Sequence, residues 1–447
     1  MARLDGVRRS RLRPTQERPS AMDQRLDAHR LSTAVTRRTF LRAAAGFAAT
    51  SISVPGQARV GRRPGPETQP AGADLPWRER PVTIVCLGDS VTGVYYHTGG
   101  LRAYPELLEL AVARAIPGAK VRVVNAGISG NTTADGLARL DRDVLAHRPD
   151  LVTISFGLND MTRVAEPAFR GNLDRLIEGC RAAKARVVLC TPNAVLTTPD
   201  RPVPRLETYC ERIREAGLAS GSPICDQYVA GERLRAEDAW AFRMTLSDPI
   251  HPNLDGHKRM AESLCRAITG VDVSLADIGP IRPALGVVRA RAAASMPVNV
   301  LAMPPFDAWV WVAIEPIRSG GQVHVKAWPI DGLTLEGIEQ SAKGTVRALQ
   351  PKPDLVVVGV PARADAESDE AFWRSYAWIL NWSLSFGRKE WDCLVVHPGV
   401  AEPETPCPRG AMVRRLVAAA DLPIIDRTAG DTRAAEAVFR DGVRSWS

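Results

Sequence analysis

Histidines and cysteines do not cluster anywhere in this 447-residue chain, and no CxxC pair occurs, so no metal site is expected. Eight cysteines are too few for a disulfide framework at this length. Cys86 and Cys190 fall in apolar runs and Cys180 and Cys265 in helical ones, where cysteine serves as a small buried apolar residue. Excess charge is also missing once it is located. The net charge of +8 belongs almost wholly to residues 1–58, which hold 11 arginines against four acidic residues. The remainder balances at 47 basic against 46 acidic. That balance excludes nucleic acid and anionic membrane surfaces as partners. The weakly apolar run Ala43–Val54 is too short to span a bilayer, so no stable membrane span is expected.

The charge at the amino end has its own reading. Thr36-Arg37-Arg38-Thr39-Phe40-Leu41 resembles a bacterial twin-arginine export motif. The run Ala43–Val54 follows it, and Gly56-Gln57-Ala58 offers a small-residue cleavage site. Residues 1–58 are therefore expected to be a signal segment, with Met22 an alternative start, and the mature chain to be periplasmic or extracellular. Residues 59–78, rich in proline and glycine, read as a disordered linker.

Four short motifs follow: Gly88-Asp89-Ser90, Asn125-Ala126-Gly127-Ile128-Ser129-Gly130, Gly157-Leu158-Asn159-Asp160 and Asp248-Pro249-Ile250-His251-Pro252. The first three each end a short apolar, β-branched run, Val82–Leu87, Val121–Val124 and Leu151–Phe156. Val187–Cys190 is a further such run. Helical stretches, such as Tyr104–Ala115 and 168–183, lie between them. Alternating strand and helix implies a parallel sheet covered on both faces, with ligands at the carboxyl ends of the strands. A serine hydroxyl needs a neighbouring imidazole to take its proton, and that imidazole needs a carboxylate to fix its tautomer. Ser90, His251 and Asp248 are those three residue types. Pro252 keeps His251 out of the helical region, and Asn253 then caps a helix through Met260 and Leu264. The backbone N–H groups of Ser90 and Gly130 and the side-chain amide of Asn159 are candidate donors to a developing oxyanion.

Together these motifs resemble those of the SGNH (GDSL) hydrolase superfamily, over about Arg80 to Gly270. The resemblance implies a flavodoxin-like three-layer αβα fold and hydrolysis of esters or thioesters. It implies Ser90 as nucleophile, Gly130 and Asn159 as oxyanion donors, and His251 as base with Asp248 three residues before it. The chain has no G-x-S-x-G elbow around Ser90, which separates it from the ordinary α/β-hydrolase fold. The expected activity is that of an exported serine esterase using an acyl-enzyme and no cofactor. Its substrate is a small-molecule or carbohydrate ester, with Tyr95, Tyr96 and Trp240 as candidate stacking surfaces. An O-acyltransferase and a lipid acylhydrolase share the first chemical step and stand as alternatives. A carbohydrate-binding module with a silent site is the non-enzymatic one. The other histidines (His29, His97, His147, His257, His324 and His397) read as structural or solvated.

The second half echoes the first at a period of about two hundred residues. Val323–Thr334 follows Val121–Thr132 without a gap, setting Gly332 against Gly130. Lys352-Pro353-Asp354 repeats Arg148-Pro149-Asp150, Leu394–Pro398 repeats Val188–Pro192, and Pro423–Asp426 repeats Pro223–Asp226. The chemistry is not repeated. Pro304-Pro305-Phe306 stands against Gly88-Asp89-Ser90, Arg363 against Asn159, and Asp441–Arg444 against Asp248–His251. The expected organisation is a catalytic domain over 79–272, a linker over 273–295, and a smaller degenerate α/β domain of the same type over 296–447. The second domain is expected to form one wall of the substrate cleft.

Overall fold

The computed structural model describes residues 69–317 and 321–447. The twin-arginine motif, the cleavage site and residues 59–68 of the expected linker lie outside them. The described residues form one compact unit.

The first sheet has five parallel strands: β1 (Val82–Gly88), β2 (Val121–Gly127), β3 (Leu151–Ser155), β4 (Arg186–Cys190) and β5 (Ile224–Cys225). Their order is β2-β1-β3-β4-β5. β1, β3 and β4 are buried along nearly their whole length, as continuous runs of valine, isoleucine and leucine require when helices cover both faces. β2 is an edge strand and is mostly half-exposed. Register sets Gly88 beside both Gly127 and Ser155, and Ser155 beside Cys190, so four strands end at one level. Whatever follows those strands emerges along a single edge.

Helices Tyr104–Ala115 and Leu254–Thr269 pack together over the sheet, as do Glu166–Ala182 and Val203–Ser220. Tyr104, Leu107, Leu108, Ala111 and Val112 on one, and Leu254, Ala261, Leu264 and Ile268 on its partner, are almost wholly buried. Each of the large apolar side chains among them contributes about 1.5–3 kcal/mol on transfer from water.

The second sheet repeats this plan. β6 (Val298–Ala302), β7 (Val323–Ala327), β8 (Leu355–Val358), β9 (Asp392–Val396) and β10 (Ile424–Ile425) are parallel and lie in the order β7-β6-β8-β9-β10. Small devices recur with it. Asp150 Oδ2 accepts from the Thr83 N–H at 2.8 Å and the carboxylate pairs with Arg80. Asp354 Oδ2 accepts from the Asn299 N–H at 2.9 Å and pairs with Arg291. Arg214 grips Asp226, and Arg414 grips Asp426. Gly130 and Gly332 share a left-handed backbone, with φ of 76° and 72°.

Three expectations need correction. Residues 69–78 are not a disordered tether: Ala71 and Trp77 are buried, and the Ala71 and Gly72 N–H groups donate to Ala267 and Ile268. Residues 273–295 are not a bare linker either. They include the helix Gly286–Ala293 and bury Leu275, Leu285 and Val288. Finally, Asp441–Arg444 lies inside the helix Ala435–Trp446, which packs against Phe306–Ile314. It does not stand in a loop where a base would sit. The short stretch 426–434 leads straight from β10 to that helix, where the first half spends residues 226–253.

Candidate active site

Ser90 sits two residues past β1 in a tight turn, where the Thr92 and Gly93 N–H groups both donate to the Asp89 carbonyl. No helix follows at once: the next long one begins at Tyr104. The Ser90 Oγ lies 2.9 Å from His251 Nε2, across 161 residues of chain. His251 Nδ1 lies 2.7 Å from Asp248 Oδ2. The other oxygen, Asp248 Oδ1, accepts from the Ile250 and His251 N–H groups at 2.9 and 2.8 Å. One carboxylate therefore holds both the imidazole and the turn that carries it. Beside that carboxylate Nδ1 carries the proton, leaving Nε2 to accept from Ser90. All three side chains are buried. Burial pushes the Asp248 carboxyl up, but His251 above all, with His97 and the Ile250 N–H, outweighs it and holds it down at about 2.

The turn is closed from behind. The Ser247 N–H donates to the His251 carbonyl at 3.0 Å. Asn253 Oδ1 caps the next helix through the Asp255 and Gly256 N–H groups, while its amide nitrogen donates to Met244 and Leu246.

The oxyanion candidates come from three strand ends. Among the described residues, the backbone N–H groups of Ser90 and Gly130 donate to no protein acceptor. At Gly130, φ of 76° favours glycine, and an added Cβ would meet nothing within 4 Å, so it would enter open space. The loop is anchored on its flanks: the Ser129 N–H donates to the Tyr95 hydroxyl at 2.7 Å, and Arg163 donates to the Gly130 carbonyl. Buried Arg139 ties the Gly88 and Ala126 carbonyls to Asn131 Oδ1. The Asn159 amide nitrogen lies 3.1 Å from the Asn131 carbonyl and 3.3 Å from Asp89 Oδ2. Arg201 donates to its oxygen, Oδ1, at 3.2 Å. Gly157, with φ of 132°, lets β3 turn away under Pro192. Asp160 Oδ1 caps the helix that starts at Thr133. The last residue of that motif is thus structural.

Sequence reasoning passed over several of the residues gathered here. His97, expected to be structural or solvated, is buried, and its ring stacks on His251 with centroids 4.3 Å apart. Its Nε2 bonds the Ser90 carbonyl at 3.1 Å. Burial, reinforced by repulsion from His251, lowers its pKa well below the ordinary value, so it stays neutral. Of the expected aromatics, Tyr95 is half-buried at this edge. Tyr96 is buried, with the Arg347 guanidinium over its ring, and is no open stacking surface. Trp240 lies in the short helix Ala239–Arg243 and packs on the core. An unexpected aromatic replaces them: Phe386, from the second half, lies 5.2 Å from the Tyr95 ring and remains 42% exposed. The Tyr96 N–H donates to the Phe386 carbonyl, and the buried Asn381 amide donates to the Ser247 carbonyl at 3.0 Å.

A family model described as GDSL-like Lipase/Acylhydrolase matches residues 86–259. An acetylxylan esterase of Geobacillus stearothermophilus is 30% identical over 210 residues, 43% of this chain and 87% of that one. The chain belongs to the GDSL-like lipase/acylhydrolase (SGNH) family. It is a carboxylic ester hydrolase. The thioesterase 1/protease 1/lysophospholipase L1 of Escherichia coli is 34% identical to this hydrolase over 193 residues, 42% of this chain and 83% of that protein. A solved lipase/acylhydrolase from Enterococcus faecalis is 30% identical, covering 42% of this chain and 96% of its own, with a TM-score of 0.37. The hydrolase has no described helix long and apolar enough to cross a membrane, and its described residues hold no cluster of metal-ligating side chains.

Proposed function

We propose that this chain is an exported serine esterase that removes short acyl groups from carbohydrate. The observation that carries the catalytic part is the series Ser90 Oγ–His251 Nε2 at 2.9 Å and His251 Nδ1–Asp248 Oδ2 at 2.7 Å, beside two unengaged backbone donors. Ser90 Oγ attacks the ester carbonyl carbon while His251 Nε2 takes its proton. The negative charge gathered on the carbonyl oxygen is met by the Ser90 and Gly130 N–H groups and the Asn159 amide. His251 then returns the proton to the leaving alcohol. Water, deprotonated by the same nitrogen, attacks the acyl-enzyme and releases the acid. Asp248 stabilises the imidazolium in both halves.

Support for a carbohydrate ester comes from the acetylxylan esterase likeness and from exposed Phe386 beside Tyr95. We further read the second half as a degenerate copy of the first, from the shared strand order, the matched Asp–Arg devices and the spacing of about two hundred residues. Its use in this reading is to wall one side of the cleft through Phe386. Export rests on the Arg37-Arg38 motif.

The purified chain should hydrolyse 4-nitrophenyl acetate, losing nearly all activity in Ser90→Ala and His251→Ala. Asn159→Ala should lower turnover by ~10²–10³. Full activity in Ser90→Ala would sink the catalytic reading. An acetylated xylo-oligosaccharide should outperform a long-chain nitrophenyl ester; the reverse order would favour a lipid acylhydrolase. Acetyl transfer to added sugar outpacing hydrolysis would favour a transferase. N-terminal sequencing of protein recovered outside the cytoplasm tests export, and retention of residues 1–58 there would contradict it.

A further inference from the structure

We propose that Arg201 is a positioning residue for catalysis: it sets and polarises the Asn159 amide so that the N–H end faces the developing oxyanion. The inference rests on the oxyanion role proposed for Asn159. Arg201 stands on the connection from β4 to the helix Val203–Ser220. A miniature antiparallel bridge fixes that connection, with Thr198 and Arg201 exchanging backbone hydrogen bonds at 3.3 and 3.1 Å. The guanidinium is half-buried and makes two side-chain contacts. Nε donates to the Leu158 carbonyl at 3.1 Å, and Nη2 donates to Asn159 Oδ1 at 3.2 Å.

A guanidinium has five donors and no acceptor. The atom of Asn159 facing it must be the oxygen, and Nδ2 must face the opposite way, toward Asp89 and the Asn131 carbonyl. The Asn131 carbonyl and Asp89 Oδ2 disfavour a flip from the nitrogen side, and Arg201 adds the constraint from the oxygen side. A flipped amide would present an oxygen to the oxyanion and repel it. The same contact pulls electron density toward Oδ1, which leaves the Nδ2 hydrogens more positive, and a partly buried site magnifies the effect. Holding the Leu158 carbonyl at the same time fixes the backbone one residue before Asn159. Lysine, with a single compact head, cannot hold both acceptors in this planar arrangement.

The plain structural alternative is that Arg201 merely keeps residues 196–202 folded. A double-mutant cycle separates the two, with full-length protein and 4-nitrophenyl acetate as substrate. Arg201→Ala should lower kcat about tenfold while leaving KM within about threefold, since the lost interaction operates in the transition state. Arg201→Lys should recover only part of kcat. In the Asn159→Ala background, Arg201→Ala should cost less than about threefold, because there is no amide left to orient. An undiminished loss in that background would overturn the proposal, as would a change in KM alone or wild-type kcat in Arg201→Ala. Should Arg201→Ala fail to fold by circular dichroism, Arg201→Gln keeps most of the volume and carries the same cycle. A normal kcat in Asn159→Ala would strike the oxyanion reading itself, and this proposal with it. A failure confined to Arg201 leaves that reading standing.

Discussion

Arg102 and Asp421 form a buried latch between the two halves, and removing one side of it should be among the most damaging single changes away from the catalytic residues. The Arg102 side chain is 10% exposed and that of Asp421 is fully buried. The pair is bidentate, at 2.8 Å through both Nε and Nη2. Nη2 also donates to the Gly279 carbonyl. Arg102→Ala strands a buried carboxylate, a change that costs about 3–5 kcal/mol. With a urea m-value of about 3 kcal/mol/M, the unfolding midpoint should fall by about 1 M or more. The loss should depend on pH. Burial already holds the Asp421 carboxyl above its ordinary value even with Arg102 present. Without the guanidinium it rises further. A group raised in the folded state stabilises below its unfolded pKa and ceases to as pH rises, so the deficit of Arg102→Ala should grow from pH 4 to pH 8. Asp421 occupies a left-handed conformation, φ 56°, that asparagine tolerates. Arg102→Ala combined with Asp421→Asn should therefore regain more than half of the loss. Paired urea titrations at both pH values test this. A deficit under about 1 kcal/mol at pH 8, or one that shrinks with pH, would refute the reasoning.

Other outcomes follow from the same geometry. Burial pushes Asp89 up to about 6 from 3.8, so the native state should lose about 3 kcal/mol as pH rises from 4 through 6. Asp89→Asn removes that term, and its stability relative to wild type should improve between pH 4 and 8; a flat difference would contradict the shift. Asp248, held at about 2, stays ionised throughout the working range, so an acidic limb of the kcat profile near pH 5 cannot be its titration. Gly130→Ala should fold with a loss of about 1–2 kcal/mol from its left-handed backbone, and should lower kcat/KM by a larger factor than that strain explains. Phe386→Leu should raise KM for an acetylated xylo-oligosaccharide several-fold with little effect on 4-nitrophenyl acetate, and Phe386→Trp should restore it; equal KM values in all three would remove the wall role.

The parts legible in the sequence share a cause. Strand ends announce themselves where an apolar run meets glycine, as at Gly88 and Gly157; β2 instead runs on past Asn125 to Gly127. The turn Asp248–Pro252 is also local: carboxylate, imidazole and helix cap lie within six residues, so spacing alone constrains them. His97, Arg201 and Phe386 were not legible, because their meaning comes from partners far along the chain or from a fold that brings separate segments together. His97 meets His251 only after the sheet has formed, and Phe386 meets Tyr95 only once both sheets have packed. The place of Asp441–Arg444 has a related origin: it shares only its aspartate with Asp248–His251, and the long stretch that precedes the latter is not repeated. The expected linker residues 273–295 failed for another reason, since a segment holding Pro280 and Pro283 can pack as well as wander.

Phe306 stands in sequence where the first half has its serine, and its ring lies against Gly359 so closely that a Cβ added there would approach it to 2.2 Å. It is buried with Val310 and Phe439 in the hydrophobic interior of the second sheet. The side chain at that place is thus part of what keeps the fold standing. Writing serine, histidine and aspartate into this half would not open a crevice there, because the ring that fills the space supports its neighbours. Shrinking that ring would empty a cavity costing about 3–5 kcal/mol before any chemistry began. On the proposed reading of this half as a degenerate copy, the way back to an enzyme passes through a weaker protein.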